Sequence, residues 1–467
     1  MTNERGLADA EHLHVVAIGG YAMSAIARYC TQLGMRVSGC DVTDSETLTR
    51  LRAEGIDCVV GHDPSHLVPE SGARPDVISV ATAVRRDLPE VAAAVDAGLT
   101  VLSRGETMVF VAGTKPQVAV VSGTHGKTST SAMVSFVLDA VDAHPSFFVG
   151  GTIADFGTNA RYDAAGEWLV VEGDESDHSF LDFRRDVALV TNIEADHLDR
   201  WGDSFDSLVA GFAQFIDTAT GPAVLCVDDA VVASLAATRP DAITYGATPD
   251  ARLRITGYEP TRGGCVVEIT SDGDARPMAL RLRGRDMAQN AVGAVALAGA
   301  TGVDLDAAIA ALADFHGVAR RFEYKANLNG ADCYDDYAHT ATEIRTTLAR
   351  AREGGWSRVV AVVQPHRYTR IQRHGHEFGD AFDDADVVVV AGLDPAFEDP
   401  IEGVSSQIVI DAIRAARPAL PVIDRPDWDD LRDVPWSVAR AGDCIVTLGC
   451  GSITNVHRDW SAEAQSR

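Results

Sequence analysis

The sequence predicts an α/β protein with three successive domains, each built around a mostly parallel sheet. Short runs rich in β-branched residues alternate with helical patterns along nearly the whole chain, which is typical of parallel strands joined by crossover helices. The chain has 467 residues, and this length suits two to four domains at roughly 100 to 200 residues each. Polar breaks divide the pattern into three blocks, and we predict domains over residues 1–112, 113–319 and 320–467.

The first block opens as a βαβ unit and ends at a polar break over residues 113–116. Its predicted elements are a strand at 14–18, a turn at Gly19-Gly20, a helix near 22–33, a strand at 36–40 that ends before Asp41, and strands at 77–80 and 100–102.

The second and third blocks repeat the alternation of strands and helices. Their predicted elements are strands at 118–121, 168–171, 187–191 and 223–227, a helix that runs to about residue 140, a β-rich stretch at 243–282, a helix at 290–302, and strands near 359–363, 387–390 and 444–448.

Charge and composition restrict the classes of partner. Lys plus Arg number 40 against 68 Asp plus Glu, a formal net charge of -28, so a nucleic-acid backbone or an anionic membrane surface would repel most of the chain. The N-terminus lacks the pattern of a signal peptide, and no apolar run reaches the roughly eighteen residues that a membrane span needs. We therefore expect a cytoplasmic protein that binds neither nucleic acid nor membrane.

The eight cysteines include no C-x-x-C pair, which indicates buried free thiols.

A phosphate-binding loop is predicted where the first strand of the second block meets its first helix. It reads Gly123-Thr124-His125-Gly126-Lys127-Thr128, and its backbone N–H groups and the helix N-terminus can hold a phosphate chain. Lys127 can reach the terminal phosphates and Thr128 can ligate Mg²⁺. Val121 stands where the strict pattern has its first glycine, so the motif is a shortened variant. The chain has only three lysines, and one of them in this motif favours ATP binding over an incidental tight turn.

Carboxylates follow two later strands of the same block. Residues 172–177 contain four acidic side chains after one strand, and residues 191–199 add further carboxylates and His197 after another. Both segments lie at the carboxyl ends of strands, where ligands of open α/β sheets bind. Carboxylate oxygens suit Mg²⁺, so these segments and the loop together predict a metal-assisted phosphoryl-transfer site. Either segment alone would be equally well explained as a solvated loop.

The third block carries a basic cluster after its strand at 359–363. His366, Arg367 and Arg370 follow that strand directly. Guanidinium groups bind carboxylates through paired hydrogen bonds, so the cluster indicates an anionic ligand. A basic surface turn is the alternative explanation.

Several of these motifs occur together and in one order. They read Gly123-Thr-His-Gly-Lys-Thr, Glu172-x-Asp-Glu-Ser-Asp, Thr191-Asn-Ile-Glu-Ala-Asp-His, Arg320-Arg-Phe-Glu, Asp335-Asp-Tyr-Ala-His and Gln364-Pro-His-Arg-Tyr-Thr-Arg. With this combination the chain resembles the Mur ligases of peptidoglycan synthesis, from about His14 to Asn455. The resemblance implies a Rossmann-like N-terminal domain for a UDP-sugar, a central P-loop ATPase domain and a Rossmann-like C-terminal domain. It also implies an ATP-dependent amide ligase that joins UDP-N-acetylmuramate to L-alanine through an acyl phosphate.

The resemblance further assigns roles to residues of this chain, with ATP and Mg²⁺ as cofactors. Nucleotide binding is implied for Gly123, Thr124, His125, Gly126, Lys127, Thr128, Ser129, Asn290, Arg321 and Asp336. Metal binding is implied for Thr128, Glu172 and His197. Catalysis is implied for Lys127, Glu172, His197, His366, Arg367 and Arg370, of which the last three would orient the alanine carboxylate. Substrate binding is implied for Gly19, Gly20, Asp41 and His339.

The chain departs from the family pattern at a few positions. Asp286 and Met287 replace a His-Asn pair, Thr340-Ala341 replaces His-Pro, and Ala17 stands in an altered glycine-rich opening. No lysine lies between Lys127 and Lys325, so the carbamylated lysine of some sister ligases has no counterpart here.

Three alternatives stay open at this point, and a homo-oligomer is compatible with all of them. The first is the related ligase that attaches a recycled peptide to the same UDP-sugar. The second is a non-catalytic nucleotide-binding paralogue. The third is a nucleotide-dependent dehydrogenase, which is weakly supported because Gly19 alone matches the G-x-G-x-x-G triplet, with Ala17 and Ala22 at the other positions.

Overall fold

The structure is a computed structural model that describes residue 7 and residues 10–67, 74–82, 84–261, 263–396 and 398–466. The chain forms two compact units. The first unit comprises residues 1–256, 268–278 and 289–315, and the second comprises residues 257–267, 279–288 and 316–467.

The first sheet lies in the first unit. Its strands and helices are β1 (His12–Val16), α1 (Tyr21–Gln32), β2 (Arg36–Asp41), α2 (Glu46–Ala53), β3 (Asp57–Val60), β4 (Val77–Val80), α3 (Pro89–Asp96), β5 (Thr100–Ser103) and α4 (Arg104–Ala112). The five strands are parallel in the order β3-β2-β1-β4-β5. Ala17 ends β1 because its backbone is left-handed, with φ at 62°, so this strand stops earlier than the predicted strand at 14–18.

The second sheet has ten strands, in an order that places the first of them, β6, near its middle. The elements are β6 (Gln117–Ser122), α5 (Lys127–Ala140), β7 (Ser146–Ile153), β8 (Thr158–Arg161), β9 (Trp168–Glu172), β10 (Val187–Val190), α6 (Phe205–Asp217), β11 (Ala223–Cys226), α7 (Ala230–Ala236), β12 (Ile243–Gly246), β13 (Leu253–Thr261), β14 (Gly264–Ser271), β15 (Asp274–Leu280), α8 (Arg285–Ala300) and α9 (Leu305–Leu312). The order is β15-β14-β13-β12-β11-β10-β6-β9-β7-β8. Strand β6 is parallel to β10 and β9, and Val118 to Val121 are fully buried, which explains their continuous apolar sequence.

The third sheet lies in the second unit. Its elements are β16 (Glu323–Leu328), β17 (Ala331–Asp336), α10 (Ala341–Arg352), β18 (Val359–Val363), α11 (Tyr368–His374), β19 (Val387–Ala391), α12 (Gln407–Ala416), β20 (Val422–Arg425), α13 (Trp428–Leu431), α14 (Val434–Ser437), β21 (Cys444–Leu448) and α15 (Val456–Ser466). The strand order is β16-β17-β21-β18-β19-β20. The hairpin of β16 and β17 is antiparallel, and the other strand pairs are parallel.

The predicted fold class is confirmed, since three mostly parallel sheets alternate with helices. Each sheet falls within one predicted domain range, and the boundary residues themselves stay a prediction. The polar break at 113–116 is packed against the protein, because Lys115 is buried and its Nζ donates to the carbonyl oxygens of Asp163 and, at 2.7 Å, Gly166. No helix among the described residues is long and apolar enough to cross a membrane.

Candidate active site

The predicted phosphate-binding loop connects β6 to α5. Two of its glycines have left-handed backbones, with φ at 133° for Gly123 and 84° for Gly126. A Cβ atom at Gly126 would lie 2.5 Å from Oδ1 of Asn290, and one at Gly123 would overlap Oγ1 of Thr191. Glycine is therefore required at both positions. The structure brings the predicted nucleotide residue Asn290 against this loop.

The loop is held from the end of β10 by Asn192. The side chain of Asn192 accepts from the N–H of His125 at 2.8 Å and donates to the His125 carbonyl oxygen at 3.0 Å. Its backbone carbonyl accepts from the N–H of Thr124 at 3.0 Å. Thr191 adds a fourth hydrogen bond, because its hydroxyl donates to the same His125 carbonyl at 2.6 Å. These bonds fix the loop backbone before any phosphate binds.

Lys127 begins α5 and its side chain turns back over the loop. Its Nζ donates to the carbonyl oxygens of Gly123 and Thr124 at 2.6 and 3.1 Å, and to the Glu175 carboxylate at 2.8 Å. Burial acts to lower the pKa of Lys127, but Glu175 and the neighbouring carboxylates outweigh it and raise the pKa above its ordinary value. The ammonium group therefore stays charged at neutral pH.

Thr128 and Glu172 meet beside the loop and offer oxygen donors of the kind that Mg²⁺ prefers. The Thr128 hydroxyl donates to Oε1 of Glu172 at 3.1 Å, and the other Glu172 oxygen accepts from the N–H of Gly150 at 2.7 Å. A Cβ atom at Gly150 would lie 2.6 Å from the Glu172 carboxylate, so that close approach depends on glycine. The donor set fits Mg²⁺. Ser129, in the first turn of α5, is buried.

His197 lies on the loop after β10 in a left-handed conformation, with φ at 51°. Its Nε2 is 3.7 Å from a carboxylate oxygen of Asp196, and its side chain is 42% exposed. His125 forms a comparable pair with Glu194, at 3.2 Å. The role of His197 at a metal stays a prediction.

Gly19 and Asp41 meet at the carboxyl ends of β1 and β2. The N–H of Gly19 donates to Oδ2 of Asp41 at 3.0 Å, and Oδ1 accepts from the N–H of Thr43 at 3.1 Å. A Cβ atom at Gly19 would lie 2.9 Å from the same Asp41 oxygen, so the contact requires glycine. Gly20 is the N-cap of α1. A cavity of about 540 Å³ opens beside this turn, and it is lined by Gly19, by residues of α1 and α2, and by residues 152 and 157–159.

The basic cluster of the second unit lies after β18. Nη1 of Arg370 is 3.4 Å from Nδ1 of His366, and residue 366 forms an isolated parallel bridge with Asp394. Burial and then the charge of Arg370 lower the pKa of His366 to about 4, so this imidazole is neutral at pH 7. Arg367 points elsewhere in the same cluster, because its guanidinium donates to Glu398 at 2.7 Å. The predicted trio therefore divides into a His366–Arg370 pair and a separate Arg367–Glu398 pair.

Asp336 lies at the end of β17 and is buried. Its carboxylate accepts from the N–H groups of Phe322 and Ala338 at 2.7 and 2.8 Å, and it lies 3.5 Å from a guanidinium nitrogen of Arg350. Burial raises the pKa of Asp336, although Arg350 and Arg321 act to lower it. Arg350 also pairs with Asp286, so this departure from the family pattern supplies a partner for a buried cation. The Arg321 guanidinium lies over the Tyr337 ring, 5.3 Å from its centre.

The segment from His339 to Glu343 starts α10 with a capping box. The Thr340 hydroxyl accepts from the N–H of Glu343 at 3.3 Å, and the Glu343 carboxylate accepts from the N–H of Thr340 at 3.1 Å. The same carboxylate accepts from the N–H of His339 at 3.0 Å. Thr340 and Ala341 thus begin the helix efficiently in place of the family's His-Pro. His339 is fixed at the N-terminus of this helix.

Three family models match the chain in the order expected from its motifs. They are the Mur ligase family catalytic domain over residues 12–114, the Mur ligase middle domain over residues 121–298, and the Mur ligase glutamate ligase domain over residues 320–451. The chain belongs to the Mur ligase family. The resemblance noted from the sequence is confirmed.

Similar Mur ligases match over almost their full lengths. A UDP-N-acetylmuramate–L-alanine ligase of a Bradyrhizobium species is 40% identical over 455 residues, covering 95% of each chain. The crystal structure of UDP-N-acetylmuramate–alanine ligase from Thermotoga maritima has a TM-score of 0.82 at 26% identity and covers 97% of this chain and 99% of that one. A murein peptide ligase from Psychrobacter arcticus shares the fold, with a TM-score of 0.72 at 22% identity, over 98% of this chain and 99% of that one.

Some residues that contact the predicted site residues of this Mur ligase did not stand out in the sequence. Asn192 and Glu175 lie inside motifs that the sequence suggested, but their contacts with the loop depend on how the chain turns after β10 and β9. Arg350 carries no motif at all, and it lies in the last turn of α10. Its pairing with Asp286 and Asp336 is visible only in the fold.

Proposed function

We propose that this Mur ligase joins the carboxylate of UDP-N-acetylmuramate to the amine of L-alanine, with ATP converted to ADP and phosphate. The observation that carries the proposal is the 40% identity to a ligase of that name over 95% of both chains. The substrates are precursors of peptidoglycan, and we place the reaction in the cytoplasm, where ATP is available.

A carboxylate is a poor acyl donor, so the proposed reaction activates it first. Transfer of the terminal phosphoryl group of ATP to the muramate carboxylate gives an acyl phosphate, which the neutral amine attacks with loss of phosphate. The loop between Gly123 and Lys127 supports this step, because its N–H groups and the N-terminus of α5 can hold the phosphates. Lys127 donates to the transferring group once its Nζ leaves the carbonyl oxygens of Gly123 and Thr124.

Thr128 and Glu172 would hold Mg²⁺ in the proposed enzyme. When bound, the ion offsets the negative charge of the phosphates. Glu172 is anchored for this task by the N–H of Gly150. We propose His197 as a ligand of a second metal. Asn290, next to Gly126, is the proposed adenine-side residue.

The His366–Arg370 pair is proposed to bind L-alanine. Arg370 offers a planar guanidinium for the amino-acid carboxylate. His366 is neutral at pH 7, so its Nδ1 can accept a hydrogen bond from Arg370 and keep that guanidinium oriented. Arg367 is proposed as an outer carboxylate contact, since it already binds Glu398.

We propose the cavity beside Gly19 as the UDP-sugar site. Asp41 holds Gly19, which lines this cavity, through one carboxylate oxygen, and its other oxygen accepts from the N–H of Thr43. The boundaries proposed for the three domains remain 1–112, 113–319 and 320–467. Arg321, Asp336 and His339 remain proposed ligand-side residues of the C-terminal domain.

Phosphate release from ATP tests the proposal. Release should require both UDP-N-acetylmuramate and L-alanine, and the product should carry one added alanine by mass. Lys127→Ala should abolish release, while Lys325→Ala, at an exposed lysine paired with Glu323, serves as the control. Turnover with a peptide beginning in L-alanine but not with L-alanine itself would identify the recycling ligase. Nucleotide binding without any turnover would identify a non-catalytic paralogue.

A further inference from the structure

A cluster of metal-ligating side chains lies in the first sheet, outside the site described above. His14, Cys40 and Glu90 are buried, and their ligand atoms all lie within 4.8 Å of one another. Nε2 of His14 is 3.2 Å from one Glu90 oxygen, and Sγ of Cys40 is 3.0 Å from the other. His62 adds its Nδ1 at 3.1 Å from Cys40 and 3.3 Å from Glu90. His66 reaches Glu90 at 3.0 Å.

The strand register explains why these residues meet. His14 pairs with Ser38, and Val16 pairs with Cys40, on the parallel strands β1 and β2. Because side chains alternate along a strand, His14 and Cys40 lie on one face of the sheet. Cys40 and Val16 pack there with residues of α3, the helix that carries Glu90.

The donors are close enough together to bind one zinc ion. Zinc binds N and O donors at about 2.0–2.2 Å and S at about 2.3 Å, so the edges of its tetrahedron are about 3.3 Å between N and O donors and about 3.6 Å to sulfur. His14 and His62 lie 3.2 and 3.3 Å from Glu90 oxygens, which fits the shorter edge. Sγ of Cys40 lies 3.0 Å from Glu90 and 3.1 Å from His62, so the sulfur would move outward by about half an ångström when the ion binds. A thiolate ligand and imidazoles favour Zn²⁺ over Mg²⁺, which prefers oxygen donors.

The charges and the neighbouring hydrogen bonds agree with the same ion. A Cys40 thiolate and a Glu90 carboxylate together carry two negative charges, which balance one Zn²⁺ in a buried site. Ser38 lies 2.9 Å from Nδ1 of His14. If Nδ1 donates to that hydroxyl, the lone pair of Nε2 faces the cluster, which is the usual arrangement of a ligating histidine.

We propose that the first domain binds one structural Zn²⁺ through His14, Cys40, Glu90 and His62. Zinc binding displaces the thiol proton of Cys40 to solvent, so the thiolate becomes the ligand. His66 donates to the Glu90 carboxylate and orients it. The ion joins β1, β2 and α3 next to the turn in which Asp41 holds Gly19, because Asp41 directly follows Cys40.

Zinc content of the full chain tests the proposal. The protein is stripped with a chelator, incubated with a slight excess of Zn²⁺, freed of unbound metal by gel filtration and measured by elemental analysis. We expect about one Zn²⁺ per chain and a thermal midpoint several degrees higher than in the stripped protein. Cys40→Ser should lose the bound zinc and this gain in stability. Cys58→Ser, at a buried thiol on the neighbouring strand β3, is the matched control and should keep both.

Co²⁺ replaces Zn²⁺ as a spectroscopic probe of the thiolate ligand. The wild-type protein should show thiolate-to-cobalt charge-transfer absorption together with the bands of tetrahedral cobalt, and Cys58→Ser should show the same spectrum. If circular dichroism shows that Cys40→Ser does not fold, the cobalt spectrum of the wild-type protein alone tests whether a thiolate binds the metal. Zinc that is absent after gel filtration, or equally abundant in a folded Cys40→Ser variant, would overturn the proposal in favour of a hydrogen-bonded network around Glu90.

Discussion

Replacing Lys127 by alanine removes the counter-ion of a buried carboxylate. The side chains of Lys127 and Glu175 are 13% and 3% exposed, and their charged atoms lie 2.8 Å apart. Removing one partner of a buried ion pair costs about 3–5 kcal/mol, because the remaining charge has no partner. We expect the lower end, about 3 kcal/mol, since Glu175 can take up a proton instead of staying charged.

Because Glu175 can take up a proton, the free energy of unfolding lost in Lys127→Ala depends on pH. Burial raises the pKa of Glu175 even though Lys127 acts to lower it, and loss of the ammonium group should raise the pKa further. A carboxyl with a raised pKa in the folded state binds more protons folded than unfolded. Its contribution to stability is therefore fully present below the unfolded pKa of about 4.3 and is lost as pH rises through the folded pKa. Lys127→Ala should differ little from wild type at about pH 5 and by about 3 kcal/mol at about pH 8.

Urea unfolding of the two proteins at both pH values measures this difference. Lys127→Ala combined with Glu175→Gln should recover most of the lost free energy at the higher pH, while remaining inactive because the lysine is still missing. Lys325→Ala, which removes an exposed lysine, should change stability by less than about 1 kcal/mol at either pH. A Lys127→Ala protein whose loss is the same at both pH values, or a double variant no more stable than the single one, would refute the reasoning.

Three further outcomes test separate parts of the molecule. Ala17→Gly should raise the free energy of unfolding by about 0.5–1 kcal/mol in urea, because alanine is strained at a φ of 62°; a loss of stability would contradict this. Glu172→Gln should raise the Mg²⁺ concentration for half-maximal phosphate release, and an unchanged Mg²⁺ titration would count against its metal role. Arg370→Lys should raise KM for L-alanine about tenfold or more with little change in KM for ATP, because lysine lacks the planar fork. The opposite split in steady-state kinetics would assign Arg370 to the nucleotide.

Much of the fold could be predicted because local pattern and tertiary environment agree in the parallel strands. Residues 118–121 and 359–363 are apolar without interruption, as strands buried on both faces must be. The start of α8 was predicted too late, at residue 290 instead of Arg285. Its first turn carries Asp286, whose charge is offset by Arg350 far along the chain. A local pattern cannot show that partner, so the polar first turn resembles a loop.

Some residues of the candidate site could likewise be predicted from the sequence, and others could not. Gly123, Gly126, Thr128 and Glu172 follow from spacing at strand ends, because parallel strands carry their carboxyl ends to one edge of a sheet. The hydrogen bonds between Asn192 and the loop do not follow from spacing, since they depend on the backbone direction after β10. The cluster around Glu90 is equally hidden, because His14 and Glu90 are 76 positions apart. Their meeting depends on strand register and on the placement of α3.

The scarcity and burial of lysine give this chain an unusual chemical property. Of its three lysines, Lys115 is buried, Lys127 is held in the phosphate loop, and Lys325 has a side chain 30% exposed beside Glu323. An acylating reagent at neutral pH therefore meets very few reactive amines. Lys127 is shielded as well, because its raised pKa keeps the amine protonated and its side chain is 13% exposed. Labelling of Lys127, read by peptide mass, therefore reports opening of the phosphate loop, with Lys325 as an internal standard in the same molecule.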